Sequence, residues 1–206
     1  GAMKSRSRVF DILVGAIIVL FVASLYAGVA MPSFRKGQQS ACSSNIHQLA
    51  LALQIYSTDY DSFLPPIPYR KEDSWPRALR SYALSDQARK HGKEMQDIST
   101  IKPYICPARA DKGYGFAMNY SVAGCMIDGN VDPTAVILLA EAKEVTDEEW
   151  WVFDYEQQVV ATNRCLPASR IPLYSYHPSG ANIAFLDGHV SAKKQGQLSV
   201  ENWRAY

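Results

Sequence analysis

The chain predicts an α+β fold in which a long N-terminal α-helix, transmembrane and then amphipathic, packs on a small antiparallel β-sheet. Three observations predict it. An apolar run of about 23 residues, Val9 to Met31, is long enough to cross a bilayer. After Pro32 the apolar positions continue as Cys42, Ile46, Leu49, Leu53, Tyr56 and Tyr60, steps of four and three that keep one stripe on one helix face. Beyond residue 110 the pattern changes to short apolar stretches separated by turn residues, the pattern of strands.

The elements follow in order. Gly1, Ala2 and Met3 read as a tag scar with Met3 as a native start, so residues 1–8 are scar plus a basic leader. Lys4, Arg6 and Arg8 precede the apolar run and hold that end in the cytoplasm, which puts the rest of the chain outside. Gly28-Val29-Ala30 offers small residues of the kind a signal peptidase cleaves after. The run nevertheless exceeds a signal core of roughly 7–15 residues, so residues 9–31 are expected to be retained as an anchor. Asp11 lies near the cytoplasmic end of the span, where a charge costs less than at mid-bilayer. Gly15, Ala16, Ala23, Ala27 and Gly28 are small enough for close helix contact.

Residues 32–61 form the amphipathic half. Pro32 removes one backbone donor and is expected to bend the helix without ending it, and Asp59, Asp61 and the prolines Pro65, Pro66 and Pro68 stop it. From Val9 to Asp59 such a helix would be about 75 Å long. Residues 62–206 form the head. Ser74 caps a short helix over 75–83, with Trp75, Leu79 and Tyr82 on one face. Ile101 to Pro107 is extended. Strands are expected over 114–122 and 135–142, with a hairpin of 150–155 and 159–162 behind the acidic tip Asp147, Glu148 and Glu149. Leu173–His177, Ala181–Leu186 and His189–Ala192, joined by Pro178-Ser179-Gly180 and Asp187-Gly188, read as a three-stranded meander.

With 206 residues there is room for one modest globular domain beside the helix. Charged residues are 20% and the net charge is +1, so no bulk field recruits nucleic acid. The four cysteines, Cys42, Cys106, Cys125 and Cys165, contain no Cys-x-x-Cys pair and match no zinc pattern. On the outer side disulfides persist. Of the three pairings allowed, the expected one joins Cys42 to Cys106, tying the helix to the head, and Cys125 to Cys165, closing a surface loop.

The stretch His177-Pro-Ser-Gly-Ala-Asn-Ile-Ala-Phe-Leu-Asp187-Gly188-His-Val190 resembles the C-terminal signature of bacterial pilin-like proteins of the H-X9-DG type. Cys42-Ser-Ser-Asn45, Gln48-Leu-Ala-Leu-Ala-Leu-Gln-Ile-Tyr56 and Asp59-Tyr60-Asp61 resemble the segment after the anchor in the same proteins and in type II secretion pseudopilins. Trp75, Leu79, Tyr82, Tyr104-Ile-Cys-Pro107, Tyr114, Asn119 and Ala135-Val-Ile-Leu-Leu-Ala-Glu141 fall in the family's order, so the resemblance spans about residues 9–193. It implies a pilin-like fold and assembly through the N-terminal helix with other pilin or pseudopilin subunits of a type II secretion or type IV pilus-like machine. The chain departs from the family pattern at the N-terminus. The glycine before the prepilin cleavage and methylation point is missing, and Gly15 stands near the place of the usual glutamate. Dragging an uncleaved basic leader through lipid is costly. The expectation is therefore a minor, initiating or permanently membrane-bound subunit, with its head periplasmic or extracytoplasmic.

His177 and Asp187 invite a chemical reading. At the two ends of a strand of about six residues they would lie roughly 20 Å apart, too far to hydrogen-bond. The expected roles are structural: Asp187-Gly188 makes a tight turn with positive φ, and His177 hydrogen-bonds a turn backbone group before Gly180. No catalytic residues and no cofactor are expected. The one ligand considered is calcium on Asp128, Asn130 and Asp132, whose alternating oxygens lack the length and terminal glutamate of a full calcium loop. The predicted function is thus a non-enzymatic pseudopilin-like subunit with lipid, sister subunits and secretion cargo as partners. The rivals are a tethered module binding glycan or peptide through Trp150 and Trp151, and an anchored hydrolase built on His47, His91, His177 or His189.

Overall fold

A computed structural model describes residues 2–66, 75–83, 102–109, 115–127, 130–141, 152–153 and 176–203. The chain divides into two compact units, residues 1–37 and 38–206.

The first unit is helical. α1 (Ala2–Leu25) is followed by one wide π turn, Tyr26–Ala30, and then by the opening turns of α2 (Met31–Asp59). The Met31 N–H reaches back five residues to the Tyr26 carbonyl. Pro32 explains the wide turn: it has no N–H, and its ring crowds the carbonyl four residues earlier, that of Gly28, so an extra residue in the preceding turn relieves the clash. Ser33 Oγ donates to the Val29 carbonyl at 2.8 Å, satisfying one of the acceptors in this stretch. The span is apolar and wholly exposed, with Leu20 at 70% and Phe21 at 63%, and nothing stands within 4 Å of a Cβ placed on Gly15 or Gly28. It is the one helix among the described residues long and apolar enough to cross a membrane.

In the second unit α2 is the spine of the core. Cys42, Ile46, Leu49, Leu53 and Tyr56 are buried, as their spacing predicts, together with Ala50, Ala52 and Ser57. Each buried leucine or isoleucine contributes about 1.5–3 kcal/mol. The stripe stops one step early: Tyr60 is 52% exposed and stacks on Tyr56 with ring centroids 4.1 Å apart. The helix ends because Asp61 and Ser62 adopt positive φ (51° and 67°) and the Ser62 N–H returns to the Ser57 carbonyl at 2.7 Å, closing the C-terminus with a six-residue loop bond.

The predicted short helix is two turns, α3 (Trp75–Ala78) and α4 (Arg80–Ala83), with Trp75 and Leu79 fully buried. A single 3₁₀ turn, Lys102–Tyr104, leads into Ile105-Cys106-Pro107. α2 grips this segment by two amides: Asn45 Nδ2 donates to the Ile105 carbonyl at 2.8 Å and Gln38 Nε2 to the Pro107 carbonyl at 3.1 Å.

The sheet contains β1 (Phe116–Asn119), β2 (Ile137–Glu141), β3 (Val152–Phe153), β4 (Ala181–Phe185) and β5 (Val190–Lys193), in the order β3-β1-β2-β4-β5. β1, β2, β4 and β5 are antiparallel neighbours, whereas β3 runs parallel to β1. The β4–β5 hairpin stands where the meander was expected. Of the predicted strand Leu173–His177, residues 173–175 lie outside the described residues, and β4 pairs with β2 on one edge and β5 on the other. The α2-facing core contains Leu138, Leu139 and Ala184. A second cluster of Ile137, Ala140, Ile183, Phe185, Leu198 and Trp203 includes residues of the C-terminal 3₁₀ segments. A bulge in β2 between Ile137 and Leu139 puts two consecutive leucines in the same core, which a regular strand forbids.

Candidate functional site

Four buried side chains from four segments converge between α2 and the sheet. Cys42 comes from the first buried turn of α2, Cys106 from the segment gripped by Asn45 and Gln38, Glu141 from the end of β2, and His177 from the loop before β4. Cys42, Cys106 and Glu141 are 0% exposed and His177 is 6% exposed. Their sulfur, oxygen and nitrogen atoms all lie within 4.8 Å of one another. Glu141 Oε1 is the hub: it is 2.7 Å from Cys42 Sγ, 3.1 Å from His177 Nε2 and 3.9 Å from Cys106 Sγ. His177 Nε2 is also 3.3 Å from Cys106 Sγ.

Local structure explains each placement. Strand alternation puts Leu139 and Glu141 on the α2 side of β2, and Asn182 and Ala184 on the same side of β4. The antiparallel register, extended one step beyond Ala140 and Ile183, brings Glu141 to Asn182. Asn182 then donates its backbone N–H to Oε2 at 3.0 Å and its Nδ2 to Oε1 at 2.9 Å. Gly115 lets Cys106 approach: a Cβ there would stand 2.8 Å from the Cys106 backbone nitrogen. Gly180, at φ 120°, turns the chain after His177 and donates its N–H to the His177 carbonyl at 3.3 Å.

Without an ion the cluster polarises. Burial pushes the Cys42 thiol up, helped by Cys106 and the Glu141 charge. Cys106 is pushed down to about 6, first by the hydrogen bond from Cys42, against burial, and further by His177 and the Ala108 N–H. For His177 burial pulls downward, but Cys106 and Glu141 outweigh it and raise the imidazole to about 9. Two cysteines, an imidazole and a carboxylate are thus packed together out of solvent, where isolated charges are costly.

The structure redistributes the predicted site residues. Cys42 and Cys106 come together beside Glu141 and His177, and both are free cysteines rather than the expected bridge. Cys125 is a free thiol donating to the Ser121 carbonyl at 3.3 Å, and Cys165 lies outside the described residues. His177 was expected to serve a turn with its ring; its carbonyl does that, and the ring enters the cluster. Asp187 is placed elsewhere, accepting from His189 N at 3.0 Å and contacting His189 Nδ1 at 2.6 Å. Gly188 has φ 88°, the positive value expected, and docks on α2: His47 Nδ1 is 2.9 Å from its carbonyl oxygen, and Gln54 donates to Leu186 O at 2.9 Å. The H-X9-DG motif therefore divides into a His at the cluster and an Asp-Gly turn on α2. Of the calcium trio, Asp132 accepts two hydrogen bonds from Thr134, at 2.9 and 2.7 Å, Asn130 is exposed, and Asp128 lies outside the described residues. Asp11 and Gly15 are exposed on α1, and Pro32 lies in α2 just beyond the π turn. Trp150, Trp151 and His91 lie outside the described residues.

Sequence reasoning missed Glu141 and Asn182. One signal was available: Glu141 closes the wholly apolar run Ile137-Leu-Leu-Ala140, and a carboxylate at the end of a buried strand needs a partner. The chain matches no family model, no curated protein and no solved structure.

Proposed function

We infer that the chain is a non-enzymatic, single-pass subunit of pseudopilin type. Its apolar helix anchors it in a bacterial cytoplasmic membrane and assembles it with sister subunits of a type II secretion or type IV pilus-like machine. The head, on the extracytoplasmic side, works by surface contact with neighbours or cargo. One observation carries this reading. Residues 10–59 are helical throughout, the apolar window near the start is entirely unburied, and the stripe from Cys42 to Tyr56 is the core of the head. An unburied apolar helix in water loses the hydrophobic stabilisation that lipid or neighbouring helices supply. The leader residues Lys4, Arg6 and Arg8 orient the N-terminus inward.

Photo-cross-linking tests this reading. A photoreactive residue at Leu20 of the full chain in bacterial membranes is expected to give ladders of self-linked subunits. A single unlinked band at every position along α1 would contradict assembly and favour a solitary tethered binding module.

A further inference from the structure

The geometry points to a structural zinc(II) site made by Cys42 Sγ, Cys106 Sγ, Glu141 Oε1 and His177 Nε2. The size fits. Tetrahedral zinc, with Zn–S of about 2.3 Å and Zn–N or Zn–O of about 2.0–2.2 Å, sets donors roughly 3.3–3.8 Å apart. The contacts at 2.7, 3.1, 3.3 and 3.9 Å straddle that range, so shifts of about 1 Å or less at the side-chain tips seat an ion. The donor chemistry also fits. Two thiolates with an imidazole select zinc over magnesium or calcium, which take oxygen donors. Four protein donors leave no open position, which makes the site structural.

The surroundings complete it. Asn182 fixes both carboxylate oxygens, and this is how outer hydrogen bonds orient a ligand for its ion. Two thiolates and a carboxylate bring three negative charges against the two of the cation, and N–H donors from Asn182 offset the remainder. On binding, the Cys42 thiol proton and the proton on His177 Nε2 leave to solvent, and no oxidant is needed. A Cys42–Cys106 disulfide, the competing outcome outside the cytoplasm, would account for two of the four groups and leave the Glu141 carboxylate buried beside a histidine. Zinc accounts for all four, and ties α2, the 105–107 segment, β2 and the loop before β4 together at one point.

The test uses the full chain in detergent, purified without chelator, and does not depend on the assembly reading. Elemental analysis is expected to find one zinc per chain, with Cys42 and Cys106 unreactive to alkylation until a chelator is added. The stripped chain is expected to take up cobalt(II) with the visible ligand-field bands of a tetrahedral thiolate site. Because Cys42→Ser and Cys106→Ser each alter a fully buried core position and can prevent folding, Asn182→Ala supplies the independent arm: zinc affinity is expected to fall about 10–100-fold with the zinc-loaded fold retained. A metal-free chain whose intact mass and peptide map show a Cys42–Cys106 disulfide would overturn the site. So would a reduced chain that takes up neither zinc nor cobalt, or an Asn182→Ala chain that binds zinc as tightly as the parent.

Discussion

Asn182 holds both oxygens of Glu141, its backbone N–H at 3.0 Å from Oε2 and its amide at 2.9 Å from Oε1, so a carboxylate with no solvent contact is fixed in orientation. Two facing residues of neighbouring strands thereby set the orientation of the group on which Cys42 and His177 converge.

Glu141→Ala removes the hub and leaves His177 buried without the carboxylate that stands 3.1 Å from its Nε2. Breaking a buried ion pair from one side costs about 3–5 kcal/mol. The loss is expected as a lower urea midpoint followed by tryptophan fluorescence, Trp75 and Trp203 both being in the core. An unchanged midpoint would place the carboxylate outside the fold's energetics.

Two glycines are expected to rank in a set order. Gly180→Ala meets φ 120° and the Lys193 carbonyl oxygen at 2.5 Å, a backbone atom that cannot swing away. Gly188→Ala meets φ 88° and only the Gln54 side-chain amide at 3.0 Å. Both lose about 1–3 kcal/mol through backbone strain, and Gly180→Ala loses more. Thermal melts compare them directly; a larger drop at Gly188 would reverse the order.

The two faces of α2 separate stability from assembly. Leu53→Ala, at a position 0% exposed, is expected to cost about 2–5 kcal/mol. Ile55→Ala, at a position 54% exposed, is expected to stay within about 0.5 kcal/mol. Denaturant titration reads both; a large loss at Ile55 would show that the outer face is covered within the subunit.

The Tyr82 hydroxyl donates to Asp59 Oδ2 at 2.9 Å, and this hydrogen bond, with minor help from burial and the negative charge, pushes the phenol up to about 12. A phenol whose pKa is raised on folding contributes stability that is present below the ordinary value of about 10 and lost as pH rises through about 12. Titration of ring-labelled tyrosine is expected to show the Tyr82 phenol late, and Asp59→Asn to bring it back toward the ordinary value. A Tyr82 titrating with the rest would deny the contact.

Much of this fold was legible in the chain because it is written in periodicity. The α2 stripe from Cys42 to Tyr56 repeats at helical steps, Ile137 to Ala140 is a continuous apolar strand, and Gly180 with Asp187-Gly188 brackets β4. What did not show has no local signature. β3 falls inside the strand expected over 150–155, but its parallel pairing with β1 is announced by neither alternation nor a turn. The order of the sheet escaped for a related reason: β4 pairs with β2, about 40 residues earlier in the chain. The cluster is the extreme case. Its contacts join residues 35, 71 and 99 positions apart, so no ligand spacing exists in the chain and only the fold assembles them. The sequence did name Cys42 and Cys106 as partners, and it named His177; it lacked the carboxylate between them.

The central claim is that residues 10–31 lie in lipid while residues 42–57 are the spine of the head. Hydrogen exchange of the full chain in lipid nanodiscs, read by mass spectrometry, tests both together. Slow exchange over 10–31 and over 42–57 is the expected result. Rapid exchange over 10–31 in the bilayer, or over 42–57 in the folded head, would contradict the account.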